Sequence, residues 1–323
     1  MSRAVSAQGL ARDINEFLRF KRAMGISYWR GEIILNGFMR FIAARWGNRG
    51  MVALDEAVRR WSSRIAGRKA VTVGLEFGVV RQLCLYRHRR DPTSYVPEHA
   101  MAPVKESIFL PYIFTHDKVR RMLSAAARYD GRAISGPMLY ALILVLYCTG
   151  LRLGEAVRLR MHDVDLMRGT LMIHHSKGRT RIVTFREDLA NQLRRYLAAR
   201  EHQIGAGACN EPQALFLQRD ATPLTLRSAS DAIRRLLRQL EMKPQSGRIG
   251  PRPYEFRHAF AVHRLTAWAV AGVDIHARIA HLSAYLGHQN VLGTEVYLKA
   301  TPQLMELASG RFEEHLRRAR RRK

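Results

Sequence analysis

Apolar residues recur every three or four positions through the first hundred residues, the spacing of one face of an α-helix. Leu10, Ile14, Phe17 and Leu18 form one stripe, which Gly25 is expected to end. Ile34, Phe38, Phe41 and Ile42 form a second, Leu54, Val58, Trp61 and Ile65 a third, and Leu75, Val79, Leu83 and Tyr86 a fourth. Arg and Lys fill the opposite faces. Pro92, Pro97, Pro103 and Pro111 then follow without periodicity, the composition of a linker. The pattern predicts a helical unit over 1–105 and a second unit over 106–323.

The second unit also reads as helical, with one exception. Thr115 is placed to cap a helix that begins at THDKVRRML. Met138–Cys148, MLYALILVLYC, is apolar throughout, but at 11 residues it is about half a bilayer span and reads as a buried helix. Gly169–Phe185 has β-rich flanks around Lys177-Gly178 and predicts a hairpin. Leu189, Leu193, Tyr196 and Leu197 mark another helix, and LRSASDAIRRLLRQLEM one more. The remainder reads as helical to the basic end LRRARRRK. The expected fold class is mainly α, with a small β-hairpin or sheet in the second unit.

Charge narrows the partner. Lys and Arg number 54 against 27 acidic residues, a formal charge of +27 that a polyanion neutralises most simply. The basic residues are spread along the chain rather than gathered beside an apolar segment, which argues against a membrane surface. The opening MSRAVSAQGLARDINEF has no apolar core segment, so no leader is expected. Cys84, Cys148 and Cys209 are few and far apart, as expected in a reducing cytoplasm, and no spacing suggests a metal site.

Four segments of the second unit carry reactive side chains. TGLRLGEAVRLRMHDVDL holds Arg152 and Glu155, and the hairpin tip HSKGRT holds Lys177. PYEFRHAFAVH holds Tyr254, Arg257 and His258, and LGHQNVLGTEVYLKA holds His288 and, nine positions later, Tyr297. Singly, each has an ordinary explanation: a solvated Arg, an exposed hairpin Lys, a core His, an amphipathic core Tyr. Together they meet one chemical demand. A tyrosine attacking a phosphodiester makes phosphorus five-coordinate and loads negative charge onto its non-bridging oxygens. Two guanidinium groups suit those oxygens, because each stays charged and donates paired hydrogen bonds. The leaving 5′ oxygen needs a proton, which a hairpin Lys could deliver. The phenol, with an ordinary pKa of about 10, must lose its own proton, and cationic surroundings ease that loss. This chemistry needs no metal and no cofactor.

CTGLRLGEAVRL, SKGRTR, FRHAFAVH and YLGHQNVLGTEVYL resemble the tyrosine recombinases, or phage integrase family, in order and in the nine-residue His-to-Tyr interval. The resemblance covers roughly residues 110 to 305; the helical front half fits the family's core-binding domain less closely. It implies a DNA-binding front domain, a catalytic domain closing a clamp around duplex DNA, a 3′-phosphotyrosine intermediate and a tetrameric synapse of like or related recombinases. It assigns Arg152 and Arg257 as phosphate clamps, Lys177 as the acid for the leaving 5′ hydroxyl, His288 as a phosphate donor and Tyr297 as the nucleophile. Glu155 falls where a bracing carboxylate is common. Tyr254 stands where the family usually has a histidine that takes the nucleophile's proton, and is expected to orient rather than to act as base. His258 is expected to be structural. The segment after residue 272 looks like recombinases encoded in transposon-associated trios, which points to a mobile-element enzyme of the cytoplasm and nucleoid. Two alternatives stay open: relaxation of DNA in the manner of a type IB topoisomerase, and a sequence-specific DNA-binding protein with a decayed site.

Overall fold

Each apolar stripe of the first hundred residues folds as a helix. The structure is a computed structural model. It describes residues 4–64, 67–101, 111–176, 179–205, 213–247 and 249–299, together with Ser309, Gly310, Glu313 and Arg317. The chain divides into two compact units, Met1–Phe109 and Leu110–Lys323.

The first unit holds α1 (Ala7–Ala23), α2 (Trp29–Trp46), α3 (Leu54–Ser63) and α4 (Ala70–Arg90). Ser6 caps α1 by accepting from the Gly9 amide at 3.0 Å. Two short strands, β1 (Val5–Ser6) and β2 (Met51–Val52), pair antiparallel, too short to show an alternation in sequence. Leu10, Ile14, Phe17, Phe38, Ile42, Val58 and Trp61 meet in one core as their spacing predicts. Glu76 of α4 accepts from Arg64 at 2.6 Å and Arg68 at 2.5 Å, tying the start of α4 to the end of α3. The α4 stripe differs from expectation: Phe77, Val80, Leu83 and Cys84 are buried, whereas Leu75 is 41% exposed. Apolar residues occupy several faces of α4, so periodicity alone could not choose among them; packing chose the face carrying the larger Phe77. Ile65 lies outside the described residues, as does most of the basic C-terminal stretch.

The second unit holds α5 (His116–Ala127), α6 (Gly136–Thr149), α7 (Leu153–Val157), α8 (Glu187–Ile204), α9 (Leu226–Gln239), α10 (Glu255–Val270), α11 (Ile275–Leu286) and α12 (Leu292–Lys299). Its sheet has order β3-β4-β5, all antiparallel: β3 (Val164–Asp165), β4 (Thr170–Ser176) and β5 (Arg179–Thr184). β4 and β5 are the expected hairpin, in register Leu171 to Val183 and Ile173 to Arg181. Thr115 caps α5, accepting from the Lys118 amide at 3.2 Å. The apolar helix α6 lies at the centre, packed by α5, α8 and α10, which is why it carries no polar face. Among the described residues no helix is long and apolar enough to cross a membrane.

Gly150 ends α6 with φ 64°, and a Cβ there would lie 2.5 Å from Phe260 and 2.9 Å from Leu286. Only glycine satisfies both the left-handed backbone and the close approach. Gly150→Ala should therefore lose about 1–2 kcal/mol to the backbone and about 1–3 kcal/mol to overpacking. At about 2–4 °C per kcal/mol, its melting midpoint falls by roughly 5 °C or more in a thermal scan. A midpoint within about 1 °C of wild type would show that this turn tolerates a side chain.

Candidate active site

Three stretches of the second unit converge: the turn after α6, the start of α10, and the α11–α12 junction. Arg152 immediately follows that turn and is the N-cap of α7. Glu155, three residues on, folds back so that its carboxylate accepts from the Arg152 amide at 2.9 Å. The same carboxylate accepts from the Arg152 guanidinium at 2.7 Å and from Arg181 of β5 at 2.9 and 3.2 Å. Glu155 is 4% exposed, so it is a buried brace between two arginines.

The end of α11 completes their anchorage. The last carbonyls of a helix have no partners within it and carry the negative end of its dipole. Here the carbonyl of Tyr285 accepts from Arg181 Nε at 2.9 Å, that of Leu286 from Arg257 Nη2 at 2.6 Å, and that of Gly287 from Arg152 Nη2 at 3.3 Å. Arg257 also donates to the Gly150 carbonyl at 2.9 Å, at the end of α6. Gly287 has φ 70°, a left-handed backbone that favours glycine, and a Cβ there would lie 2.8 Å from the Arg181 guanidinium and push on it.

Arg257 is 1% exposed. Burial, and then the neighbouring Arg152, pull its pKa down to about 10, which leaves it charged at neutral pH. Among the described residues its Nε donates to nothing. Among the described residues, the one carboxylate of Glu155 against the guanidinium groups of Arg152, Arg181 and Arg257 leaves this cluster net positive, with donor capacity still open on Arg257: the electrostatics of an anion site.

Tyr297 comes to this cluster from α12 and is 1% exposed. Burial pushes its pKa up to about 12, against the opposing pull of Arg257. Its hydroxyl lies 3.1 Å from His258 Nδ1. His288 follows Gly287, and its ring lies 6.4 Å from that of Tyr297 with its Nδ1 2.7 Å from the Thr294 hydroxyl. Tyr254 stands at the start of α10, 39% exposed, its ring edge-on to His258 at 4.8 Å. Thus Arg152, Glu155, Tyr254, Arg257, His288 and Tyr297 occupy one neighbourhood. Lys177 lies outside the described residues.

One residue of the site, Arg181, escapes the sequence reading, which gives a second, His258, only a structural part. Arg181 shares a strand face with the buried Val183, while the intervening Ile182 is 58% exposed. Period-two alternation could have flagged a charge pointing inward. His258, expected to be structural, instead touches Tyr297. It is four residues after Tyr254 and three after Glu255, so one helix face carries all three.

Residues 113–303 match the phage integrase family. Over 305 residues the chain is 30% identical to y4rB of Sinorhizobium fredii, whose name is that of an integrase/recombinase; the match spans 93% of this chain and 96% of that one. It is 30% identical over 222 residues to the tyrosine recombinase XerA of Thermococcus kodakarensis, spanning 68% of this chain and 65% of that protein. The solved Tn1549 transposon integrase, in complex with a circular intermediate DNA, aligns with TM-score 0.66 at 16% identity, covering 94% of this chain and 99% of that one. At that identity the likeness is one of fold.

The buried imidazole has a consequence for stability. Burial, then Arg257 and Arg252, lower the His258 pKa from 6.5 to about 4. Between those values the unfolded chain takes up a proton that the native site refuses, so stability falls as pH drops through the window and is regained above it. His258→Asn removes this proton uptake. The melting midpoint of wild type should drop more between pH 7 and pH 4.5 than that of His258→Asn, as read by circular dichroism at matched ionic strength. Equal drops would mean that His258 titrates normally.

Proposed function

The chain belongs to the phage integrase family and is a tyrosine recombinase; on that premise we propose that it cuts and rejoins duplex DNA through a 3′-phosphotyrosine formed on Tyr297. The observation that carries this reading is the placement of the buried Tyr297 and Arg257 in one neighbourhood with the half-buried Arg152 and His288. These residue types suit a pentacovalent phosphate, whose charged oxygens need fixed donors.

Arg152 and Arg257 hold the two non-bridging oxygens. Their own geometry is fixed beforehand by Glu155 and the helix-end carbonyls, so little reorganisation accompanies the reaction. His288, oriented by Thr294, donates to the same phosphate. Tyr297 attacks phosphorus, the bond to the 5′ oxygen breaks, and Lys177 protonates the leaving oxygen. Tyr254 orients groups at the site's edge. It is 39% exposed and the Arg152 side chain 20%, so the phosphate enters over them rather than over the buried Arg257. In the rejoining step a 5′ hydroxyl attacks the phosphotyrosine and frees Tyr297.

Residues 1–105 serve as the core-binding DNA domain and 106–323 as the catalytic domain. The +27 charge suits a phosphate-lined partner that is held in a salt-dependent way. The working assembly is a tetramer on DNA, of this chain alone or with related recombinases. The trio-like segment after residue 272 favours a mobile element as its setting.

Trapping on a nicked suicide substrate tests the chemistry. Wild type should form a covalent protein–DNA adduct on denaturing gels. Tyr297→Phe should form none while binding the duplex within a few-fold of wild type, since only the attacking oxygen is lost. Arg152→Ala and Arg257→Ala should each slow adduct formation by about 10²–10³-fold, the usual cost of a lost oxyanion donor. An adduct that persists in Tyr297→Phe would remove Tyr297 as the nucleophile.

A further inference from the structure

Tyr297 is deeply buried, and its proton must go somewhere when it attacks. We propose that His258 takes that proton, with Glu255 as the residue that positions it. The proposal rests on the reading of Tyr297 as nucleophile and names the base for it.

The geometry is that of a nucleophile, a base and an orienting carboxylate in series. His258 Nδ1 lies 3.1 Å from the Tyr297 hydroxyl, with ring centroids 5.3 Å apart. On the other side of the imidazole, His258 Nε2 lies 3.6 Å from Glu255 Oε2. Glu255 is itself fixed through Oε1, which accepts from Arg252 Nε at 3.2 Å, while among the described residues its Oε2 accepts no hydrogen bond. The Tyr254 ring packs against the imidazole in a T-shaped arrangement, centroids 4.8 Å apart. Tyr297, Glu255 and His258 are 1%, 3% and 4% exposed, so bulk water is a poor alternative acceptor. A hydrogen on Nε2 pointing toward Glu255 leaves the Nδ1 lone pair facing the phenol, the tautomer that acceptance requires.

The step balances. As the Tyr297 oxygen bonds to phosphorus, its O–H bond breaks and the proton goes to His258 Nδ1. The bond from phosphorus to the 5′ oxygen breaks, its electron pair stays on that oxygen, and the general acid protonates it. In the reverse direction the imidazolium returns its proton to Tyr297.

Among the described residues, the groups facing His258 include Glu255, Arg257 and Tyr254 from its own helix and helix start, Arg252 from the preceding loop, and Tyr297 from α12. Burial and the two arginines keep the imidazole neutral in the DNA-free protein, with a pKa lowered to about 4. Neutral imidazole is the accepting form. A phosphodiester bound to Arg257 would offset the repulsion from that guanidinium, so proton affinity rises when substrate is in place. The imidazolium then formed faces the Glu255 carboxylate.

Single-turnover adduct formation on the suicide substrate, measured from pH 6 to 9, tests this. His258→Asn keeps an oxygen near the Nδ1 position that can accept a hydrogen bond but not a proton. It should bind DNA normally, form adduct about 10²-fold more slowly at pH 7, and gain rate roughly tenfold per pH unit because hydroxide must now make the phenolate. Wild type should be nearly flat across the same range. Glu255→Gln should slow the reaction by about tenfold with the flat profile retained, since the imidazolium loses its counter-charge. If His258→Asn reacts within about threefold of wild type with the same profile, the proposal is overturned. Should that variant fail to bind DNA, the wild-type profile decides alone: a tenfold rise per pH unit through pH 9 would show that solvent, not His258, removes the proton. Tyr297→Phe, run alongside, separates the two ideas. An adduct there overturns the nucleophile, whereas its absence with a fast His258→Asn overturns only the base.

Discussion

Three consecutive carbonyl oxygens at the end of α11, those of Tyr285, Leu286 and Gly287, accept hydrogen bonds from Arg181, Arg257 and Arg152. Guanidinium groups repel one another, and burying them is costly. The negative ends of two helices and the single carboxylate of Glu155 offset that cost. The arrangement needs α6 and α11 to stop at defined places, which the left-handed Gly150 and Gly287 enforce. The central apolar helix, the hairpin that carries Arg181 and the start of α10 are all registered against these two ends.

The same enclosure sorts the titrating groups. Where charge is countered, as on Arg152 and Arg181 by Glu155, the side chains are held in place. Where it is not, burial dominates, raising the pKa of Tyr297 and lowering that of His258. The site therefore holds Tyr297 as phenol beside a neutral imidazole, under a surplus of positive charge. A phosphate supplies the missing negative charge. On the proposed reading of Tyr297 as nucleophile, this division keeps the phenol unreactive until a phosphate is bound.

Much of this was legible in the residues. The stripes from Leu10 to Trp61 became a helical core because a period of three to four residues puts one face inward whatever the partners are. The hairpin around Lys177, the cap at Thr115 and the buried α6 followed from equally local rules. The site's membership was visible too, because the chemistry asks for two arginines, a histidine and a tyrosine, and all four occur in motifs whose order matches a known family.

What the sequence by itself determined was therefore the elements, the family and most of the residues that the fold brings into one cluster. Only the tertiary structure decided which face of α4 is buried, that Arg181 joins Arg152 on Glu155, and that His258 touches Tyr297. The physical reason is range. Helix periodicity, capping and turn chemistry act over a few residues, so they can be read along the chain. The His258–Tyr297 contact joins positions 39 residues apart and the Arg257–Gly150 bond positions 107 apart. Such contacts depend on where two helix ends meet in space, a consequence of packing that no local pattern encodes.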